Sequence, residues 1–360
     1  MEDFKKEFPL TQHYTYLNTA SCGLLSRSLV SWRQEHDKNL MEGGSIFRDT
    51  HKQHIREIRS GLSRFFSTSE ETIALVPNFS TGMNALLDGL AEESKILLLE
   101  GDYPSINWPA EFRKFELCYA RIDANLEQNI EEAIVEHNPD VFAFSMVQYI
   151  SGIMMDPNFL NRIKAYHPNL LLIADGTQFL GTTNFSFSES PLDIIGASSY
   201  KWLLAGYGNG LFMIKPEVQH RFSLRTIGFN SADAGFGQKD EISFVGRMEP
   251  GHLDTLNFGS LGESVTFLEK LGMDKVEEHL KDLIHTAKSE FVKRDLLDEA
   301  VVNRETHSTI FNIKGDKELF ERFKSEKVIC SLRGKGIRVS FHIYNTREDL
   351  HKLLEIIDSY

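Results

Sequence analysis

The sequence predicts an α/β fold, with a large domain built on a mostly parallel sheet and a smaller C-terminal α+β domain. Three observations carry that prediction. Short apolar runs at 73–76, 95–99, 141–147, 170–174, 193–196 and 210–214 are separated by helical patterns or turn clusters, as the strands of a parallel sheet covered on both faces are. After residue 214 this alternation stops, and the rest of the chain holds only two strand-like runs, at 309–313 and 336–343, among helical segments. A length of 360 residues also suits two domains of ~100–200 residues each.

The elements follow in order. After a polar arm over residues 1–15, Tyr16-Leu17-Asn18-Thr19-Ala20 reads as a short extended piece entering a turn at Cys22-Gly23. Helical patterning covers 28–40 and 55–66, ahead of the six apolar runs. The interval 228–254 is rich in glycine and polar residues and has little periodicity; so long a loop in a compact chain has a functional role or is disordered. From Leu261 a helix resumes on Val265, Leu268 and Leu271, and a second runs over 276–291. The closing helix carries a capping-box pattern, Thr346 with Asp349 three residues on, and an apolar face of Leu350, Leu353, Leu354 and Ile357. The chain is expected to divide into an N-terminal arm packing on the small domain (1–15), a large domain (16–252) and a small domain (253–360).

Composition excludes several classes. A formal net charge of −13 opposes a protein that works by neutralising nucleic-acid phosphates or an anionic membrane surface. Cys22, Cys118 and Cys330 lie far apart, without the spacing of a disulfide framework or zinc site. No run of about 18 apolar residues and no apolar N-terminal segment occurs. A reducing, cytoplasmic setting with no metal site is expected.

Three segments carry chemistry. In Ser198-Ser199-Tyr200-Lys201-Trp202, ahead of the glycine-rich stretch 206–210, a lysine between an apolar strand and a turn would be desolvated toward nucleophilic use; an exposed strand-end lysine is the structural alternative. Asp175 directly follows the run 170–174, where open α/β sheets bind ligands, or serves as a simple cap. Ser80 and Thr81, in Asn78-Phe79-Ser80-Thr81-Gly82, precede a helical pattern; they can cap it, and its free N–H groups can receive a phosphate.

Beyond the 78–82 segment, Tyr16–Ala20, Asp175-Gly176-Thr177-Gln178, Ser198–Trp202, Arg338-Val339-Ser340 and Tyr344-Asn345-Thr346 give five ordered motifs over most of the chain. The chain resembles the class V aminotransferase family of fold type I pyridoxal phosphate enzymes, which includes cysteine desulfurases, selenocysteine lyases, kynureninases and isopenicillin N epimerase. The resemblance implies a seven-stranded sheet and pyridoxal 5'-phosphate as cofactor. It implies that Lys201 forms a Schiff base with the cofactor and acts as base and acid. Asp175 pairs with the pyridine nitrogen, and Gln178 donates toward the phenolate oxygen. Ser80, Thr81, Ser198 and Tyr200 serve the phosphate, and Tyr103 stacks on the ring. His252 reaches the phosphate of a neighbouring subunit in a homodimer with shared active sites. Either Gln148 or Tyr149 faces the substrate. Arg338 holds the substrate α-carboxylate, a role its guanidinium fork suits; a salt bridge to an acidic neighbour is the structural alternative.

The expected reaction is transamination of a small α-amino acid. Lyase, desulfurase-like or epimerase chemistry on the same core is the alternative, and a catalytically retired cofactor-binding scaffold is a second. Desulfurase chemistry is demoted because Cys330, eight residues before Arg338, follows Val328-Ile329 in an apolar run, and a buried thiol is inert. His51 and His54 have metal-like spacing, but without a third ligand they read as a solvated helix face. The segment 206–210 leads into a strand, unlike a dinucleotide fingerprint.

Overall fold

The computed structural model describes residues 2–232, 237 and 241–360. Twelve strands are present among them: β1 Thr15–Tyr16, β2 Ile73–Val76, β3 Lys95–Leu99, β4 Glu116–Ala120, β5 Val141–Ser145, β6 Leu171–Asp175, β7 Ile194–Ser198, β8 Gly210–Ile214, β9 Ile310–Ile313, β10 Val328–Ile329, β11 Ser331–Arg333 and β12 Gly336–Ser340. Seven form one sheet in the order β2-β8-β7-β6-β5-β3-β4. Neighbours from β7 to β4 run parallel, and β8 alone is reversed, pairing antiparallel with both β7 and β2.

Every residue of β2, β5, β6, β7 and β8 is buried, because helices cover both faces of the sheet. Continuous apolar text is the consequence. β4 escaped the sequence reading for the converse reason. It is an edge strand in which Glu116 and Tyr119 are exposed while Cys118 and Ala120 are buried, so it has no apolar run. The expected strand over 141–147 ends at Ser145, where β5 yields to the turn that builds the site.

Packing against this sheet sets the helix that faces the site. Phe212 of β8 fills space left by Gly82 and Gly196; a Cβ at either would come within 2.3 Å of its ring. Phe79 stacks on the same ring at 5.3 Å between centroids. The helix Phe79–Leu87 therefore lies close to the sheet, its first turn beside the end of β7.

A second sheet, β11-β12-β9, is antiparallel. β1 pairs in parallel with β10, Phe8 packs on Tyr344 at 5.0 Å and Lys5 meets Asp349 at 3.3 Å, so the chain's beginning is tied to its end. The helices Thr255–Leu271 and Met273–Lys293 follow the segment 228–254, which is not wholly irregular: it holds a short 3₁₀ turn, Phe229–Ala232, and the helix Phe244–Met248, and part of it lies outside the described residues. The closing helix, Arg347–Asp358, has its capping box formed by Thr346 and Asp349.

Candidate active site

The C-terminal ends of β3, β5, β6 and β7 converge along one edge of the large sheet. Ser145 stands opposite Asp175 in register, and Asp175 opposite Gly196. This is where an open α/β sheet presents its ligand site. Tyr103, Ser145, Val147, Tyr149, Asp175, Thr177, Gln178 and Lys201 line one narrow cleft there.

Lys201 sits on the turn after β7 and is 5% exposed, which decides against the exposed strand-end alternative. Its Nζ lies 5.6 Å from the Tyr103 ring centre and 5.5 Å from that of Tyr200. Burial lowers its pKa, opposed by the Asp175 carboxylate and assisted by the Arg338 and Arg333 cations. The backbone makes this burial possible: Gly23 donates its N–H to the Tyr200 carbonyl at 2.9 Å, and a Cβ on Gly23 would fall 2.0 Å from the Lys201 carbonyl oxygen. Only glycine lets the loop after β1 close over the lysine.

Asp175 ends β6 and is also buried, which raises its pKa; its Oδ1 accepts the Thr177 N–H at 2.8 Å. Gln178 receives the indole N–H of Trp202 on Oε1 at 2.7 Å and donates from Nε2 to the Ala20 carbonyl at 3.0 Å. One amide proton remains for a ligand in the cleft.

At the first turn of Phe79–Leu87 the assignment of the cap changes. Asn78, not Ser80 or Thr81, caps this helix: its side chain accepts the Thr81 N–H at 2.9 Å and the Thr81 hydroxyl at 3.1 Å. Ser198 Oγ accepts the Phe79 N–H at 2.9 Å, and Ser80 Oγ donates to Ser105 Oγ at 2.8 Å. Tyr200 stacks on Tyr207 at 4.6 Å, with its phenol pKa raised by burial.

Arg338, on β12, is 3% exposed. Its Nη1 donates to the Tyr149 carbonyl at 2.7 Å and its Nη2 to Ser21 Oγ at 2.6 Å, while Nε has no partner. No carboxylate of the described residues pairs with it, so the salt-bridge alternative fails. Burial and the neighbouring Arg333 push its pKa down to about 10.

The choice between Gln148 and Tyr149 falls to geometry. Gln148 Oε1 accepts the N–H groups of Ile150 and Ser151 at 2.7 and 2.8 Å and braces its own turn, whereas Tyr149 lines the cleft edge-on to Tyr103 at 5.3 Å. His252 is exposed, beside Phe229 and His51, apart from the residues lining the Lys201 cleft. His51 and His54 are half-buried, so the face is only partly solvated, and His54 stacks on Trp32; no metal-binding cluster occurs among the described residues.

Sequence reasoning missed Asp102. It is 4% exposed and accepts the N–H of Tyr103 at 2.7 Å and of Ser145 at 2.8 Å, locking the ends of β3 and β5 together. It too follows an apolar run, which was the available signal. Thr177, whose hydroxyl accepts the Ser198 N–H at 3.0 Å, and Ser21 were likewise unread.

A buried lysine–aspartate pair at a strand edge, an open amide donor and a buried arginine without an acid fit the donor set that a phosphorylated pyridine aldehyde and an amino acid require. The chain matches Aminotransferase class-V over residues 26–353. It belongs to the class V aminotransferase family. Its relatives include the uncharacterised aminotransferase YcbU of Bacillus subtilis (strain 168), 20% identical over 99% of this chain and 97% of that one. A probable cysteine desulfurase of Pyrococcus abyssi is 21% identical over 99% of this chain and 96% of its own. Among solved structures, the apo cysteine desulfurase of Thermococcus onnurineus NA1 superposes with a TM-score of 0.86 at 18% identity, covering 99% of this chain and 97% of that one. The fold is therefore fold type I, and the cofactor of this class V enzyme is pyridoxal phosphate.

Proposed function

We propose that this class V enzyme acts on the α-amino group of an amino acid, most simply as an aminotransferase. The observation that carries the reading is Arg338, a buried guanidinium without a carboxylate partner in the same site as Lys201. A guanidinium so placed is stabilised by an incoming carboxylate. Pyridoxal phosphate, when bound, supplies an electron sink for bonds at the substrate Cα. Lys201 offers an amine, kept neutral more readily by burial, to anchor the cofactor and to carry the proton at Cα. Asp175 holds the proton at the pyridine nitrogen. Gln178 donates its remaining N–H to the phenolate oxygen. Ser80, Thr81, Ser198 and Tyr200 surround the phosphate, with the Ser80 N–H and the Ser198 and Tyr200 hydroxyls as donors; the Thr81 N–H and hydroxyl turn to Asn78 and the Ser80 hydroxyl to Ser105, and these last two hydroxyls must rotate to donate to a phosphate. Tyr103 covers the ring and Tyr149 faces the substrate.

The desulfurase relative favours a second reading, a lyase that cleaves the substrate side chain. A persulfide route through Cys330 is opposed by burial, which pushes that thiol up to about 12. Elimination without a protein thiol, and epimerisation, remain within reach of Lys201.

The proposal includes a homodimer in which His252, exposed here, reaches the neighbouring subunit's phosphate, and the division into arm, large and small domains at 1–15, 16–252 and 253–360. It also includes a cytoplasmic setting, supported by three free cysteines; among the described residues no helix is long and apolar enough to cross a membrane.

The test is a half-reaction screen. Cofactor uptake is followed by visible absorption, with Lys201→Ala as control, and each common amino acid is then added. Keto acid with the cofactor left as its amine supports transamination. Pyruvate with ammonia or sulfide supports the lyase, and loss of optical activity the epimerase. Uptake without any conversion supports the retired scaffold, and no uptake overturns the enzyme readings.

A further inference from the structure

Hairpin register places two arginines diagonally across from each other. β11 and β12 pair with Ser331 opposite Arg338 and Arg333 opposite Gly336. Residues directly opposite, and residues two apart on one strand, share a face of a sheet. Ser331, Arg333 and Arg338 therefore project from the same face.

That face is turned to the site. Ser331 Oγ donates to Asn18 Oδ1 at 2.7 Å and meets Ser21 Oγ at 3.1 Å, and Ser21 Oγ also receives Arg338 Nη2. The Lys201 amine feels both guanidinium charges. The hairpin is held in place: Asn312 Nδ2 donates to the Arg333 carbonyl at 2.9 Å, and the Gly334 turn rests on Ile150, next to Tyr149 of the cleft, so that a Cβ there would meet Ile150 Cγ2 at 2.8 Å.

In a chain with 52 acidic and 39 basic residues, Arg59, Arg113, Arg294, Arg304 and Arg347 each pair with a carboxylate. Neither Arg333 nor Arg338 forms an ion pair with a described residue. Two like charges on neighbouring strands repel, and an amino acid with a single carboxylate answers only Arg338. We propose that the substrate carries a second acidic group on its side chain, received by Arg333 at the mouth of the site, so that the enzyme is specific for acidic α-amino acids and their dicarboxylic keto acids. This rests on the reading of Arg338 as the α-carboxylate site.

The test compares unreactive mono- and dicarboxylates, butyrate against succinate and glutarate, by titration calorimetry on the cofactor-loaded protein, with Arg333→Ala and Arg333→Lys as variants. Arg333 is exposed, so these variants keep the fold. The expected result is a dicarboxylate preference of about tenfold or more, abolished in Arg333→Ala, partly kept in Arg333→Lys, with butyrate affinity and cofactor retention unchanged. Equal affinity for both classes in the unaltered protein would overturn the proposal. So would an Arg333→Ala variant that binds all the acids equally less well, or one that instead loses the cofactor, which would assign Arg333 to the phosphate. Binding needs no turnover, so a dicarboxylate preference without amino-acid conversion would leave this inference standing while the aminotransferase reading fell. Conversion of alanine and glutamate at equal rates with no such preference would do the reverse.

Discussion

Trp202 donates its indole N–H to the Oε1 of Gln178 at 2.7 Å, and that bond fixes which end of the amide faces where. With Oε1 committed, Nε2 is turned to the Ala20 carbonyl and its second proton is left for the cleft. Replacing Trp202 with Phe keeps most of the apolar volume but strands a buried carbonyl oxygen, a loss of about 1–3 kcal/mol. Denaturant unfolding should register that loss, and cofactor affinity should fall with it because the amide is free to flip. Unchanged affinity would show that Gln178 does not need this anchor.

Asp102 should prove as exacting. Both its oxygens accept backbone N–H groups, one from Tyr103 and one from Ser145. An Asn side chain would present an N–H to one of them, so Asp102→Asn is expected to lose about 1–3 kcal/mol. The charge adds a second readout. Asp102 and burial both raise the Asp175 pKa, so removing the charge lets Asp175 ionise at lower pH, and the pH dependence of cofactor absorption should move to lower values.

How far the sequence carried this far depends on what each residue needs. Buried strands such as β5 and β6 announce themselves, because every position is apolar up to the polar residue that ends the run; Asp175 and Lys201 are legible as strand-end residues for that reason. β4 is not, since an exposed edge mixes Glu116 and Tyr119 into its pattern. Asn78, Ser80 and Thr81 are all competent caps, and only the burial of Phe79 against Phe212 decides that the helix starts early enough for Asn78. Gln148 and Tyr149 are neighbours that a turn points in different directions. That Arg333 and Arg338 share one face follows only from the hairpin register, which no residue in the sequence states.

Replacing Arg338 with Ala should raise KM for an amino-acid substrate. The lost charged hydrogen bonds are worth roughly 1.5–3 kcal/mol, or about 10- to 150-fold. Arg338→Lys should recover little of it, since an ammonium cannot form the fork. A steady-state comparison of KM and kcat checks this, and an unchanged KM would place the α-carboxylate elsewhere.

Acid should weaken the fold through two histidines. His342 is fully buried, with Nε2 bonded to the Trp202 carbonyl at 3.0 Å, and His307 is bonded to the Ile310 carbonyl at 2.7 Å. Burial lowers the pKa of each to about 3. Between an unfolded value of about 6.5 and that folded value, the unfolded chain takes up protons that the folded sites refuse. Stability then falls with pH by about 1.4 kcal/mol per unit for each histidine. His342→Gln should be less stable at pH 7 yet show a shallower decline between pH 6.5 and 4.5, measured by urea unfolding at each pH.

The tight approach of Gly23 to Lys201 gives the most local prediction. A Cβ at Gly23 would lie 2.0 Å from the Lys201 carbonyl oxygen and 2.9 Å from Leu204 Cδ2, and the carbonyl cannot retreat because it accepts the Leu204 N–H at 3.3 Å. In Gly23→Ala the loop must therefore lift, breaking the Gly23 bond to the Tyr200 carbonyl and drawing Ser21 away from Arg338. Overpacking of this kind costs about 1–3 kcal/mol, and it falls directly on the site, because the atom met first is the backbone carbonyl of Lys201. Cofactor retention and carboxylate binding should weaken together. Gly61→Ala is the control: inside the helix His51–Phe65 its Cβ would meet only Arg64 Nη2, at 3.9 Å, so it should stabilise the protein by about 0.4–1 kcal/mol and leave ligand binding alone. If both variants retained cofactor equally, the loop after β1 would not be what seats Lys201.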